Sequence, residues 1–318
     1  MSYQWQFNSE TGAFKNHALS RDLYVAAVED SVLMDFVQPI ESFGRNMGES
    51  VLLTRIRRLT EPTTSNLTEG SRIPEDDYAM STTSITVTEV GRSVPYTSLS
   101  ADLTFYDLEN TIQRELMKQM SLCLDTKASV AFKAGQLKYD ITGTTTGTLT
   151  TAGAFTNTST ANLNVFHVEE VYDLLYGTYY VEPLDNGDYV AVTNTLGCRG
   201  LKRDPDWEMW HKYTDPAAKY NGEVGRIEGV RFVKTNHTGG TNNVVGNVGT
   251  SDVLGEAIFF GRDAVAMAEV LTPELRAALP GDYGRSKGIA WYGILEFGII
   301  WDTANAGEAK VIHVGSLT

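Results

Sequence analysis

"LENTIQRELMKQMSLCLDTKASVAFKAG", residues 108–135, carries an apolar residue at every fourth position: Leu108, Ile112, Leu116, Met120, Leu124, Ala128 and Phe132. With Ser100 as a candidate N-cap and Gly135 as a stop, this spacing predicts one helix over 101–135. At 1.5 Å per residue such a helix extends roughly 45–50 Å, long for a globular protein. A coiled coil would alternate spacings of three and four, so the expected role is a spine laid across a sheet.

The flanking chain supplies strands. "SVLLTRIRRL" and "SITVTEVGRSV" are β-branched runs separated by "TEPTTSNLTEGSRIPEDDYAMST", rich in Pro, Gly, Ser, Thr and acids. Residues 48–95 therefore read as a long hairpin with an irregular tip. A two-stranded hairpin is marginal alone, and this one has few large apolar residues for its own domain, so it is expected to lie on another subunit. Residues 60–82 are expected to order only there. Upstream, residues 1–45 look like an arm with helical spacing at Leu23, Ala26, Ala27, Leu33 and Val37.

Downstream, 139–162 is a Thr/Gly-rich loop or polar hairpin, and "NVFHVEEVYDLLYGTYY" is an amphipathic helix with Val165, Val168, Tyr172, Leu175 and Tyr176 on one side. "GDYVAVTN" and "EAIFFG" read as buried strands, "LKRDPDWEMW" as a capped helical turn, and "RDAVAMAEVLTPELRAAL" as helix. "IAWYGILEFGIIWD" and "AKVIHV" close the chain as strands. Helices and strands mix without strict alternation, which indicates an α+β fold.

Composition narrows the function. The 318 residues are 42% hydrophobic, enough for a substantial core. A net charge of −14 without a basic tail argues against gripping nucleic acid by its phosphates. Cys123 and Cys198 are the only cysteines, which fits neither a disulfide framework nor a zinc pattern and suggests a reducing place of synthesis. No signal peptide opens the chain and no eighteen-residue apolar run occurs, so no membrane partner is expected.

Candidate chemistry is sparse. Gly222, Gly225 and Gly229 in "NGEVGRIEGVRFVKT" lack the spacing and flanking elements of a phosphate loop; turn-then-strand is the simpler reading. His17, His167, His211, His237 and His313 are scattered without metal-ligand spacing. Asp204 with Asp206, and Asp76 with Asp77, could in principle serve acid–base work or calcium. An Asp before Pro is more often a cap or turn. No cofactor is implied. Arg55, Arg57 and Arg58 form the one local basic cluster. They could meet phosphates, but in an acidic chain the carboxylates of a neighbouring copy are the better match.

The order of parts resembles the tailed-phage capsid fold of the Hong Kong 97 type. "LTEG" at 67–70, "YVAV…LKRDPDW" at 189–207 and "NGEVGRIEGVRFVKT" at 221–235 are similar to stretches of the N4-type podovirus major capsid family, over roughly residues 30–318. The resemblance implies a non-enzymatic subunit that self-assembles, as hexamers and pentamers, into an icosahedral head shell around double-stranded DNA held without sequence specificity. It implies an N-terminal arm (1–47), an extended loop (48–95), a peripheral domain (96–162 and 289–318, spine helix 101–135) and an axial domain (163–288). Arg55, Arg57, Arg58, Glu69, Glu75, Asp76 and Asp77 would meet neighbouring subunits, and the three glycines would serve as structural turns. Other implied partners are a portal protein, a separate scaffolding protein (the short arm leaves no room for a fused one) and an optional decoration or cement protein. The expected place is the virion, assembled in the bacterial cytoplasm. Some shells of this fold crosslink through a loop lysine; here no lysine stands between Lys15 and Lys118. The rival readings are an encapsulin-like nanocompartment shell and a hydrolase using an acid pair such as Asp204 and Asp206.

Overall fold

The computed structural model describes residues 31–40, 43–59, 61–62, 66–104, 106–155, 159–184, 187–211, 223–237 and 255–317. The arm's Leu23, Ala26 and Ala27 lie outside them, whereas Leu33 is buried in a 3-10 turn, Leu33–Phe36. In chain order follow β1 (Gln38–Pro39), β2 (Ser50–Ile56), β3 (Met80–Thr86), β4 (Thr88–Thr97), α1 (Ser98–Leu103) and α2 (Leu108–Lys133). Then come β5 (Leu137–Gly143), β6 (Thr146–Thr150), α3 (Val165–Asp173), β7 (Tyr189–Thr193), α4 (Gly197–Lys202) and α5 (Pro205–His211). The chain closes with β8 (Glu223–Ile227), β9 (Val230–Lys234), β10 (Gly255–Phe260), β11 (Val265–Ala277), β12 (Ser286–Ile299) and β13 (Val311–Ser316).

The strands form three sheets: β6-β5-β13-β10-β7-β9-β8, β1-β11-β12-β4, and the pair β2-β3. The seven-stranded sheet is a middle layer. Tyr189, Ala191, Phe232 and Phe259 face α3, α4 and α5, while Val190, Val192, Ile258 and Phe260 face the opposite core that includes Phe132 of α2. Burial on both faces explains why "YVAV" and "AIFF" are continuous apolar runs rather than alternating ones. The Thr/Gly-rich segment resolves into the β5–β6 hairpin. Gly147 is needed there, because a Cβ would stand within 1.9 Å of the Tyr139 hydroxyl.

The expected spine helix is two helices. Ser100 does not cap it: Thr97 caps α1 with Ser100 in reciprocal contact, and Asp107 starts α2 by accepting from Asn110 N at 3.2 Å. α2 ends at Lys133, two residues before Gly135. Its apolar row is not a straight stripe. At 3.6 residues per turn, a spacing of four drifts by about 40° per step, so the row winds around the helix. Gln119 and Lys127 accordingly reach β12 (Trp291 and Glu296), while Phe132 packs on Phe260 of β10, ring centroids 4.7 Å apart. One helix thereby joins both large sheets.

The segment 262–279 is a strand, not the helix its Ala, Glu and Leu content suggests. β11 pairs with β12 from Val265↔Ile299 to Ala277↔Ile289. Pro273 would cost about 3 kcal/mol inside a helix. Here it sits at a register shift opposite Gly293, where a Cβ would come 2.9 Å from its Cγ. The hairpin read as 48–95 is also shorter: β2 and β3 pair from Ser50↔Thr86 to Ile56↔Met80, and 88–97 joins β12 instead.

Candidate assembly interface

The β2–β3 ribbon has two unlike faces. Val51, Leu53 and Arg55, with Ile85, turn toward the body, whereas Leu52, Thr54, Ile56, Met80, Thr82 and Ser84 turn outward. Ile85 is buried against Ala266 and Ala268 of β11, with Val51, Leu53 and Ile300 beside it. It occupies the space that Gly298 leaves open: a Cβ there would lie 2.6 Å from Ile85 Cγ1.

The outward face and the tip beyond it carry exposed apolar side chains. Leu52, Ile56, Leu59, Leu67, Ile73, Tyr78 and Met80 are each 51–67% exposed. Isolated exposed apolar residues are ordinary, but seven from Leu52 to Met80 make the ribbon and its tip a candidate interaction surface.

The basic cluster is engaged within its own chain. Arg55, 8% exposed, donates from one guanidinium nitrogen to Asp302 Oδ1 at 2.5 Å and to the Ile300 carbonyl at 3.1 Å, and lies over the Trp301 ring. The bond from Arg55 holds the Asp302 carboxyl below the usual carboxylate range. Arg57 Nε stands 3.7 Å from Glu308, whose buried carboxylate also accepts from Thr303 and Asn305. Arg58 covers the ring of Tyr180 at 4.5 Å. Arg57, Arg58, Asp76 and Asp77 line one cavity of about 160 Å³ at the base of the hairpin tip. Glu75 pairs with Arg72, and Glu69 is exposed.

Among the glycines, Gly222 lies outside the described residues. Gly225 sits at a register shift between β8 and β9. Gly229 (φ 72°) follows Glu228 (φ 47°) in the tight turn joining those strands, and a Cβ there would come 2.9 Å from the Tyr172 ring. Asp204 is a structural cap: its two oxygens accept Val165 N and Asp206 N, each at 3.0 Å.

No protein-family model matches the chain, and no curated protein is similar to it. Solved structures are. The head structure of Helicobacter pylori bacteriophage KHP40 superposes with a TM-score of 0.73 at 13% identity, covering 98% of each chain. The capsid asymmetric unit of cyanophage Pam1 gives 0.69 at 14% identity, covering 98% of this chain and 99% of that one. The capsid of Ralstonia phage GP4 gives 0.64 at 16% identity, covering 98% of each. The fold is that of a phage capsid chain.

Within this capsid fold lie buried polar groups that the sequence reading did not single out. Asp125, fully buried on α2, accepts Val32, Leu33 and Met34 amides through one oxygen at 2.8–3.3 Å and meets His237 Nδ1 at 3.2 Å through the other. Under β13, His313 bonds to Glu256, which also pairs with Lys133. Lys138 donates to the Lys133 carbonyl at 2.7 Å and approaches His313 Nδ1 at 3.2 Å. Burial pushes the Lys138 ammonium down to about 8 and holds His313 below its ordinary range. His167 is likewise packed and held low by burial, with the Gly143 carbonyl and Tyr139 hydroxyl as neighbours. His17 lies outside the described residues. A lone Asp in a helix or Lys in a strand gives no local signal of such partners.

Proposed function

We propose that the chain is the major capsid protein of a tailed double-stranded DNA bacteriophage, and that copies of it assemble into the icosahedral head shell. The observation that carries this reading is the β2–β3 ribbon, which presents Leu52, Ile56 and Met80 outward on an element with no covering layer among the described residues. A neighbouring copy supplies that layer. The fold shared with chains of phage capsids supports the same conclusion.

The finer assignments belong to this proposal. The fold is of the Hong Kong 97 type and its relatives are the N4-type capsid proteins. Residues 1–47 form the arm and 48–95 the extended loop. Residues 96–162 and 289–318 form the peripheral domain and 163–288 the axial one, with the seven-stranded sheet taking strands from both. Hexamers and pentamers meet through the loop, where Arg57, Arg58, Glu69, Glu75, Asp76 and Asp77 flank the apolar face and Arg55 lies on the inward face of the same ribbon. The portal, a scaffolding protein, a cement protein and packaged DNA are the proposed partners in the virion, with assembly in the host cytoplasm. A net charge of −14 suits a wall that does not bind its genome tightly.

The test is electron microscopy of the purified protein, expressed with its scaffolding partner, beside an Ile56→Asp/Met80→Asp variant. The reading expects shells from the former and folded subunits without shells from the latter. A wild-type chain that stays monomeric under these conditions, or a variant that assembles normally, overturns it.

A further inference from the structure

Besides Arg58 on the Tyr180 ring, two separate contacts seat the hairpin on the body, and their spacing gives them different jobs. Ile85 in the notch left by Gly298 holds the root. Val51 is the cross-strand partner of Ile85, and Arg55 follows four residues farther along the same strand. At about 3.4 Å per residue, Arg55 therefore grips the body roughly 14 Å beyond the root. Its partners, Ile300, Trp301 and Asp302, belong to the loop that leaves β12, and Glu308, the partner of Arg57, closes the same loop.

We propose that this loop, residues 300–308, is a latch that fixes the angle of the hairpin, with Ile85 and Gly298 as the pivot. Asp302 and Glu308 act as positioning residues for Arg55 and Arg57. The design of each contact supports the assignment. Glu308 is itself held by Thr303 and Asn305, so it presents its carboxylate to Arg57 from a fixed place. Arg55 combines an ion pair, a carbonyl bond and a position over the Trp301 ring. Gly307 (φ 80°) takes a left-handed conformation that turns the loop just before Glu308, beside the Arg58 stem. Without the latch the ribbon is held by its apolar root and by Arg58 on Tyr180, with no backbone ladder to fix its angle, because ribbon and body belong to different sheets. With the latch closed, the apolar outward face is held at one angle, which removes part of the ordering cost of docking. The inference concerns the isolated subunit and does not rest on the shell reading.

Pulsed electron–electron resonance on the full-length subunit tests it. In a Cys123→Ser background, nitroxides at Leu59→Cys on the hairpin and Met117→Cys on α2 report the angle; all three positions are accessible, whereas Cys198 is buried. A second pair, Met117→Cys and Met209→Cys, reports the body alone. The latch predicts a narrow hairpin–body distance distribution that broadens at least about twofold in Asp302→Asn/Glu308→Gln, with the body pair unchanged. Asp302→Asn alone, at a half-exposed site that tolerates change, should give a smaller broadening in the same direction. A hairpin distribution as narrow in the double variant as in the parent overturns the proposal. So does equal broadening of both pairs, which would mean general loosening.

Discussion

Gly298 of β12 faces Ile85 of β3 so closely that a methyl group on the glycine would stand 2.6 Å from the isoleucine's Cγ1. The contact joins two sheets that share no backbone ladder. Gly298→Ala should therefore lift the hairpin root, at an overpacking cost of about 1–3 kcal/mol. Thermal unfolding should show the loss, and combining it with Ile85→Ala, which removes the Cγ1 and Cδ1 that the new methyl would meet, should recover part of it relative to the sum of the two single losses. No recovery in the double variant would show that the two side chains do not compete for the same space.

Asp125 ties residues 32–34 to α2 and to the chain beyond β9. Asp125→Ala removes the acceptor for three amides, including the buried Leu33 N–H, and should cost about 3 kcal/mol or more in urea unfolding. Asp125→Asn keeps one carbonyl oxygen for those amides and should cost clearly less. Equal losses would mean that charge toward His237, rather than the shape of the amide cradle, is what matters there.

The buried bases give stability a defined dependence on pH. His167 and His313 have folded values held below their unfolded ones by burial, so the unfolded chain binds more protons as pH falls through about 6.5. Stability should thus fall between pH 7 and 5.5. Lys138, held at about 8, gives the same sign higher up: stability should rise between pH 8 and 9.5 as the folded amine loses its proton first. Denaturant midpoints of the subunit across this range are the measurement. Lys138→Met should flatten the upper limb and His313→Gln should reduce the lower one. Burial holds the Cys198 thiol above its ordinary range, which opposes the upper limb in the same window. The deciding comparison is therefore between wild type and Lys138→Met: identical slopes from pH 8 to 9.5 contradict the Lys138 assignment.

The hairpin's positive charge rests on arginines alone: no lysine occurs between Lys15 and Lys118. A guanidinium stays protonated and cannot attack an asparagine side chain as a lysine amine can. Assembled particles boiled in detergent should consequently run as one band near 35.0 kDa. A ladder of multimers would reveal a crosslink made elsewhere in the chain.

Much of the architecture is written locally. The four-residue apolar spacing from Leu108 to Phe132 marks α2, the β-branched runs mark β2, β3, β7 and β10, and Gly229 marks its turn, because each depends on neighbours in sequence. What escaped the sequence reading depends on distant partners. β11 is a strand because β12 offers it a matching edge and a glycine for Pro273, overriding the helical preference of its Ala, Glu and Leu residues. The break before Asp107 falls where the four-residue apolar row, which starts at Leu108, has not yet begun, and Ser100 offered a cap too early. The basic cluster was legible as a charge-pairing strand, but the carboxylates it meets in the fold, Asp302 and Glu308, lie across the molecule. The pairs Asp125–His237 and Glu256–His313 are the same case. Periodicity records which face of an element is buried. Which residue stands opposite that face is decided only when the chain closes on itself.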